Sequence, residues 1–141
     1  MKVATGLAVL ALALVVVVDG LAKPPRGAIR GVFTIGILAQ GDDLTKYMRW
    51  SNVWCVWRGD HVIVHVSAKN TAAEHVTTTI QPRYYIRRGG VHGNGVLSTQ
   101  DKGFDAGEFR SLWLDAGKPK GVPAKTPISR CAPSLFSIKS G

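Results

Sequence analysis

Acidic side chains are scarce in this chain: nine Asp and Glu stand against eighteen Lys and Arg, for a net charge of +9. Such an excess on a small protein favours polyanions or acidic protein surfaces as partners and says nothing about fold. The shortage also weighs against glycosidase chemistry, which needs two carboxylates flanking one bond. Beyond the N-terminal segment only Glu74, Glu108 and six aspartates remain, most of them in turns. Cysteine is rarer still, with Cys55 and Cys131 as the sole pair. No Gly-x-Ser-x-Gly occurs, and a nucleophile would need a histidine and a third, orienting group beside it. His61 and His65 share one face of a strand-like segment, and four residues at ~3.3 Å set them about 13 Å apart. One zinc ion holding both would need nitrogens at ~2.0–2.1 Å. No metal, no cofactor and no catalytic activity are therefore expected.

Long apolar runs are also missing, with one exception. After Met1 and Lys2, Thr5 to Val18 is almost unbroken apolar sequence. It falls short of the ~20 residues that span a bilayer but suits the core of a signal peptide. Small residues at Gly20-Leu21-Ala22 place cleavage after Ala22, so that residues 1–22 are a signal peptide and Lys23 begins the mature protein. The alternative is an uncleaved anchor. The expectation is a secreted chain with no stable membrane insertion, residues 23–141 forming one domain behind a basic leader. In an oxidising compartment an isolated cysteine pair forms a structural disulfide. It would close a loop of roughly 77 residues, worth about 4–5 kcal/mol at the upper end.

No helical stripe follows the signal segment, and period-two alternation takes its place. Ile29, Gly31, Phe33, Ile35 and Ile37 share one face of a predicted strand. Ala39 to Lys46 reads as a turn region, and Tyr47 to Trp57 as an aromatic segment carrying Trp50, Trp54 and Trp57. Arg58-Gly59-Asp60 is a hairpin turn into His61–Lys69, where Val62, Val64, Val66 and Ala68 alternate with His61, Ile63, His65 and Ser67. Val76, Thr78 and Ile80 resume the alternation, which Pro82 interrupts as at an edge strand or bulge. Residues 87–95 hold four glycines and read as a loop. A short strand over Val96–Thr99, a polar loop through Gly107, a strand over Phe109–Leu114 and an extended segment from Ile128 to Ile138 follow. Short strands between turn residues indicate an all-β sandwich or barrel.

The segment from Val62 to Ile86 resembles the Val-x-Val-x-Asn, turn, Val-x-Val-x-Pro pattern of immunoglobulin-like sandwiches. The expected fold is accordingly an immunoglobulin-like β-sandwich of about seven strands with one disulfide. The cysteine pairing, early strand to C-terminal strand, departs from that pattern. Of the four tryptophans, Trp50 and Trp54 share strand parity and read as core, although exposed tryptophans also stack on sugars and bases.

The basic residues cluster. Lys23, Arg26 and Arg30 crowd the leader, and after Asp115 come Lys118, Lys120, Lys125, Arg130 and Lys139 with no acidic residue among them. Arg83, Arg87 and Arg88 flank the glycine-rich stretch that begins with Gly89 and Gly90 and contains His92. These six are the candidate binding residues, because adjacent arginines make bidentate bonds to carboxylates and glycines admit backbone into narrow clefts. The bland reading is a solvated surface; the sharper one is a loop that plugs into an acidic pocket of another secreted protein. The leader is a second contact, able to add a strand to a partner's sheet. In size, export, β character and basic loop the chain is similar to the adaptor subunit of the umbrella toxin particles of Streptomyces. That resemblance implies a small secreted bridge between a large repeat-bearing toxin and lectin subunits, with Arg87 and Arg88 as loop contacts in a degenerate protease-like domain. Alternatives are a cationic antimicrobial or cell-envelope polyanion binder, and a small secreted hydrolase or inhibitor. Export disfavours nucleic acid as a specific ligand.

Overall fold

Valine alternation over His61–Asn70 makes the central strand of the protein. In the computed structural model, which describes residues 22–39, 43–88, 91–94 and 99–141, Val62, Val64, Val66 and Ala68 are all fully buried. Burying each of the three valines stabilises by about 1.5–3 kcal/mol, and the smaller Ala68 by less. This strand, β4 (His61–Asn70), follows β3 (Met48–Arg58) through the tight Gly59–Asp60 turn, with Gly59 at φ 63°. The first sheet runs β1 (Ile29–Arg30), β3, β4, β9 (Phe109–Asp115).

The facing layer is built from two bent ribbons. Pro82 splits one long strand into β5 (Val76–Gln81) and β6 (Tyr84–Arg88), and Pro133 splits another into β10 (Ile128–Cys131) and β11 (Ser134–Ser140). The bends coincide: Ala132 N–H donates to the Arg83 carbonyl at 2.9 Å, so the pairing of Cys131 with Tyr84 carries over to that of Ser134 with Gln81. β7 (Val91–Asn94) and β8 (Gln100–Phe104) flank β6 and β5, and β2 (Thr34–Ile35) runs parallel to β11. One hydrophobic core joins the layers, from Val64 and Leu114 on one side to Ile80, Tyr84 and Leu135 on the other. The Cys55–Cys131 disulfide crosses it.

The all-β architecture and the disulfide are as the sequence indicates, but eleven strand segments among the described residues replace the expected seven. Proline breaks account for part of the excess. The predicted strand over Ile29–Ile37 accounts for more, because it leaves the first sheet after Arg30 and joins the second at Thr34. Gly31 makes the crossing: a Cβ there would lie 2.1 Å from the Cys131 carbonyl oxygen. Pro82 does not mark an edge, since β5 and β6 each have neighbours on both sides. The polar loop expected before Gly107 contains β8, paired with β5 from Ile80↔Gln100 to Val76↔Phe104. The signal peptide and most of Val96–Thr99 fall outside the described residues.

The aromatic segment shows how one residue changes a face. A bulge between Ser51 and Trp54, with Asn52 at φ 55°, shifts the register of β3. Trp50 consequently stacks on Phe33 at the edge of the core, with ring centroids 3.9 Å apart. Trp54, of the same sequence parity, turns to the outer face of the first sheet.

Candidate binding surface

Arg83 stands at the double bend, where the break at Pro82 and the pairing of its carbonyl with Ala132 fix its backbone. Two residues on, Tyr85 occupies the same outward side of β6 and is opposed by Arg130 of β10. The Arg83 guanidinium donates to the Tyr85 hydroxyl. It also lies 5.6 Å from the Tyr85 ring centroid, and Arg130 lies 5.7 Å from the same ring. Two cations thus share one aromatic ring, an arrangement worth about 0.5–1 kcal/mol per exposed pair. The Ser129 hydroxyl donates to the Tyr85 carbonyl at 3.1 Å.

Beside this stack the seam between β2 and the β10–β11 bend opens into two adjoining clefts that share Thr34. One, of about 210 Å³, is lined by Arg30, Val32 and Arg130 among others. The other, of about 370 Å³, includes Arg83, Ile37 and Phe136. Val32, Ile37 and Phe136 are exposed, Ile37 at 86%. Among the described residues the carboxylates in ion pairs are Asp60, Asp105, Glu108 and Asp115, and their partners are His61, His75, Arg110 and Lys118. None pairs with Arg30, Arg83 or Arg130. The seam therefore presents uncompensated positive charge beside apolar rims, a combination that suits an acidic, partly apolar partner surface.

Of the sequence-predicted residues, Arg83 lies in this seam. Arg87 and Arg88 are at the end of β6, paired in register with His92 and Val91 of β7. The stretch read as a loop is thus a β-hairpin, and its connection, Gly89 and Gly90, lies outside the described residues. Arg30 of the leader cluster and Arg130 of the C-terminal basic run join Arg83 in the seam, together with Tyr85, which the sequence pattern does not mark. Tyr85 was findable, since residues two apart on a strand share a face. Arg30 and Arg130 reach the seam only through inter-strand pairing.

A second constellation occupies the outer face of the first sheet. Trp54 stacks on His65 with centroids 3.8 Å apart, and Trp113 packs edge-on to both. His65 is fully buried and its Nδ1–H donates to the Asn52 carbonyl at 2.7 Å. Burial pulls its pKa below the ordinary imidazole value of 6.5, against that hydrogen bond. Trp54 Nε1, His65 Nε2 and Ser67 Oγ are buried without a partner. The core reading holds for Trp54 and largely for Trp50, but Trp113 is 46% exposed. Arg58 sits over its ring at 5.5 Å.

Among the described residues no group of His, Cys, Asp and Glu could hold a metal ion, and no helix is long and apolar enough to cross a membrane. No protein-family model matches the chain, and neither a curated protein nor a solved structure matches it.

Proposed function

We propose that the protein is a secreted, non-catalytic adaptor that docks other exported proteins through its arginine seam. The observation that carries this reading is the Arg83–Tyr85–Arg130 stack beside clefts in which no described carboxylate pairs with an arginine. An arginine held over an aromatic ring is pre-organised, so less side-chain entropy is lost when it meets a carboxylate. Arg87 and Arg88, further along β6, extend the basic strand toward the hairpin end, in keeping with insertion into an acidic pocket. The disulfide suits an oxidising compartment. Short β1 and β2, at the edges of their sheets, offer room for strand addition by a partner. A bridge between a large toxin and lectin subunits, as in the umbrella particles, is the assembly this layout suits.

The test is affinity purification of the tagged protein from its native culture supernatant at moderate salt, followed by mass spectrometry. Stoichiometric capture of exported proteins is expected, abolished by Arg83→Glu with Arg130→Glu and unaffected by Lys120→Ala. Recovery of the protein alone would overturn the adaptor reading. The charge of +9 favours a second reading, a cell-envelope polyanion binder. That protein would weaken gradually with any charge loss and steeply with salt.

A further inference from the structure

The outer face of the β1–β3–β4–β9 sheet carries an arrangement that docking through the arginine seam does not use. Three polar atoms there are buried without a partner: Trp54 Nε1, His65 Nε2 and Ser67 Oγ. Leaving such a group unsatisfied forfeits its hydration with nothing in return. Three on one face therefore call for an explanation beyond packing. Their chemistry is complementary. The indole N–H donates. His65 Nδ1–H is committed to the Asn52 carbonyl, so Nε2 offers a lone pair. Ser67 can do either.

Beside them the half-exposed Trp113 indole presents a flat apolar plate, packed against Trp54 and His65. Its ring also lies under the Arg58 guanidinium. A plate of this kind suits the C–H face of a pyranose ring, neighbouring donors and acceptors suit ring hydroxyls, and a guanidinium suits a carboxylate. We propose that this face is a binding site for an acidic polysaccharide, with Trp113 as the stacking platform and Arg58 as the carboxylate contact. The inner edge of the site lies under the N-terminal segment. Ala22 and Ala28 pack against the Trp54, Val56 and Ile63 cluster, and the Ala22 carbonyl accepts a hydrogen bond from Asn52 Nδ2. If the chain is processed after Ala22, as its N-terminal sequence suggests, that contact is lost and the edge beside Trp54 opens.

The experiment is titration of the purified protein with polygalacturonate, followed by tryptophan fluorescence and calorimetry near physiological salt. Polyglutamate and dextran serve as an acidic peptide and a neutral sugar. Binding of polygalacturonate is expected, with polyglutamate and dextran each at least about tenfold weaker. Trp113→Ala should weaken binding about tenfold or more, and Arg83→Glu with Arg130→Glu should change it by less than about threefold. Ser67→Ala removes an orphaned hydroxyl, so it should lower affinity while leaving the melting temperature unchanged or raised. It keeps the proposal testable if Trp113→Ala is poorly folded. No binding of polygalacturonate, equal binding of polyglutamate or dextran, or full affinity in both the Trp113 and Ser67 variants would overturn the proposal.

Discussion

The two outer surfaces of the sandwich solve opposite problems. On the first sheet, Trp54 and His65 are sealed from water, and neutral polar atoms are left without partners. Along the seam of the second, Arg83 and Arg130 keep their charge near solvent and rest on Tyr85 instead of a carboxylate. Orphaned neutral groups gain most from a ligand that supplies short, directional hydrogen bonds. Uncompensated cations gain from any nearby negative charge, over a longer range and with strong screening by salt. A strongly basic net charge on its own does not separate a specific site from general attraction to anions; the placement of the carboxylates does. Of the acidic residues in ion pairs, Asp115 ends β9 and Asp60, Asp105 and Glu108 lie in the turns next to β4, β8 and β9, away from the seam.

The largest expected effect comes from the bond that ties the two layers together. Reducing Cys55–Cys131, which closes a 76-residue separation, should destabilise by about 4 kcal/mol on the chain-entropy account. Cys131 adjoins Arg130 and Cys55 adjoins Trp54, so the one bond ties both surfaces to the core. Thermal melts with and without reductant would register the loss, and an unchanged melting temperature would contradict it.

Gly31→Ala is expected to come next. The added methyl would meet the Cys131 backbone at 2.1 Å, and relief requires moving the crossing strand, at a cost of about 1–3 kcal/mol. Chemical denaturation should register that loss. The same change at Gly107, where a Cβ meets nothing within 4 Å but φ is +74°, provides a conformational control at a solvent-facing turn.

A smaller and more selective effect is the pH dependence of the two histidines of β4. His65 has a lowered pKa through burial. Its contribution to stability is therefore complete above 6.5 and is lost as pH falls through the folded value. His61 behaves oppositely: the hydrogen bond to Asp115 raises its pKa, so its contribution is present below 6.5 and is lost as pH rises. Asp115, lowered chiefly by the same bond, contributes above 3.8 and loses that contribution as pH falls further. Between pH 7 and 5 the His65→Gln variant should therefore lose less stability than the parent, and His61→Ala should lose more. Melting temperatures across that range decide the matter, and parallel curves for all three proteins would contradict it.

Much of the strand pattern was legible. The His61–Lys69 alternation, the Arg58–Asp60 hairpin and the cysteine pair are local or nearly unique features, and each stands where the sequence puts it. β8 was hidden because Gln100-Asp101-Lys102-Gly103 carries no apolar alternation; its pairing with β5 comes from tertiary context. The β6–β7 hairpin was hidden behind its glycines, although two strands around Gly89-Gly90 are a recognised hairpin signal. In the arginine seam, Arg83 was identified but its meeting with Tyr85 and Arg130 was not. Tyr85 binds it by strand geometry, while Arg130 lies 47 positions away and arrives by β10–β6 pairing.

The sequence by itself determined that this protein is β-rich, basic and cross-linked, because alternation, composition and an isolated cysteine pair act locally or by count. Only the tertiary structure decided which faces those residues occupy. A single extra residue at the Asn52 bulge sends Trp50 and Trp54 to opposite sides of one sheet. The coincident bends at Pro82 and Pro133 bring Arg83 and Arg130 to one tyrosine. A strand's side-chain period is two, so one shift of register reverses every later position, and no count of residue types records where that shift falls.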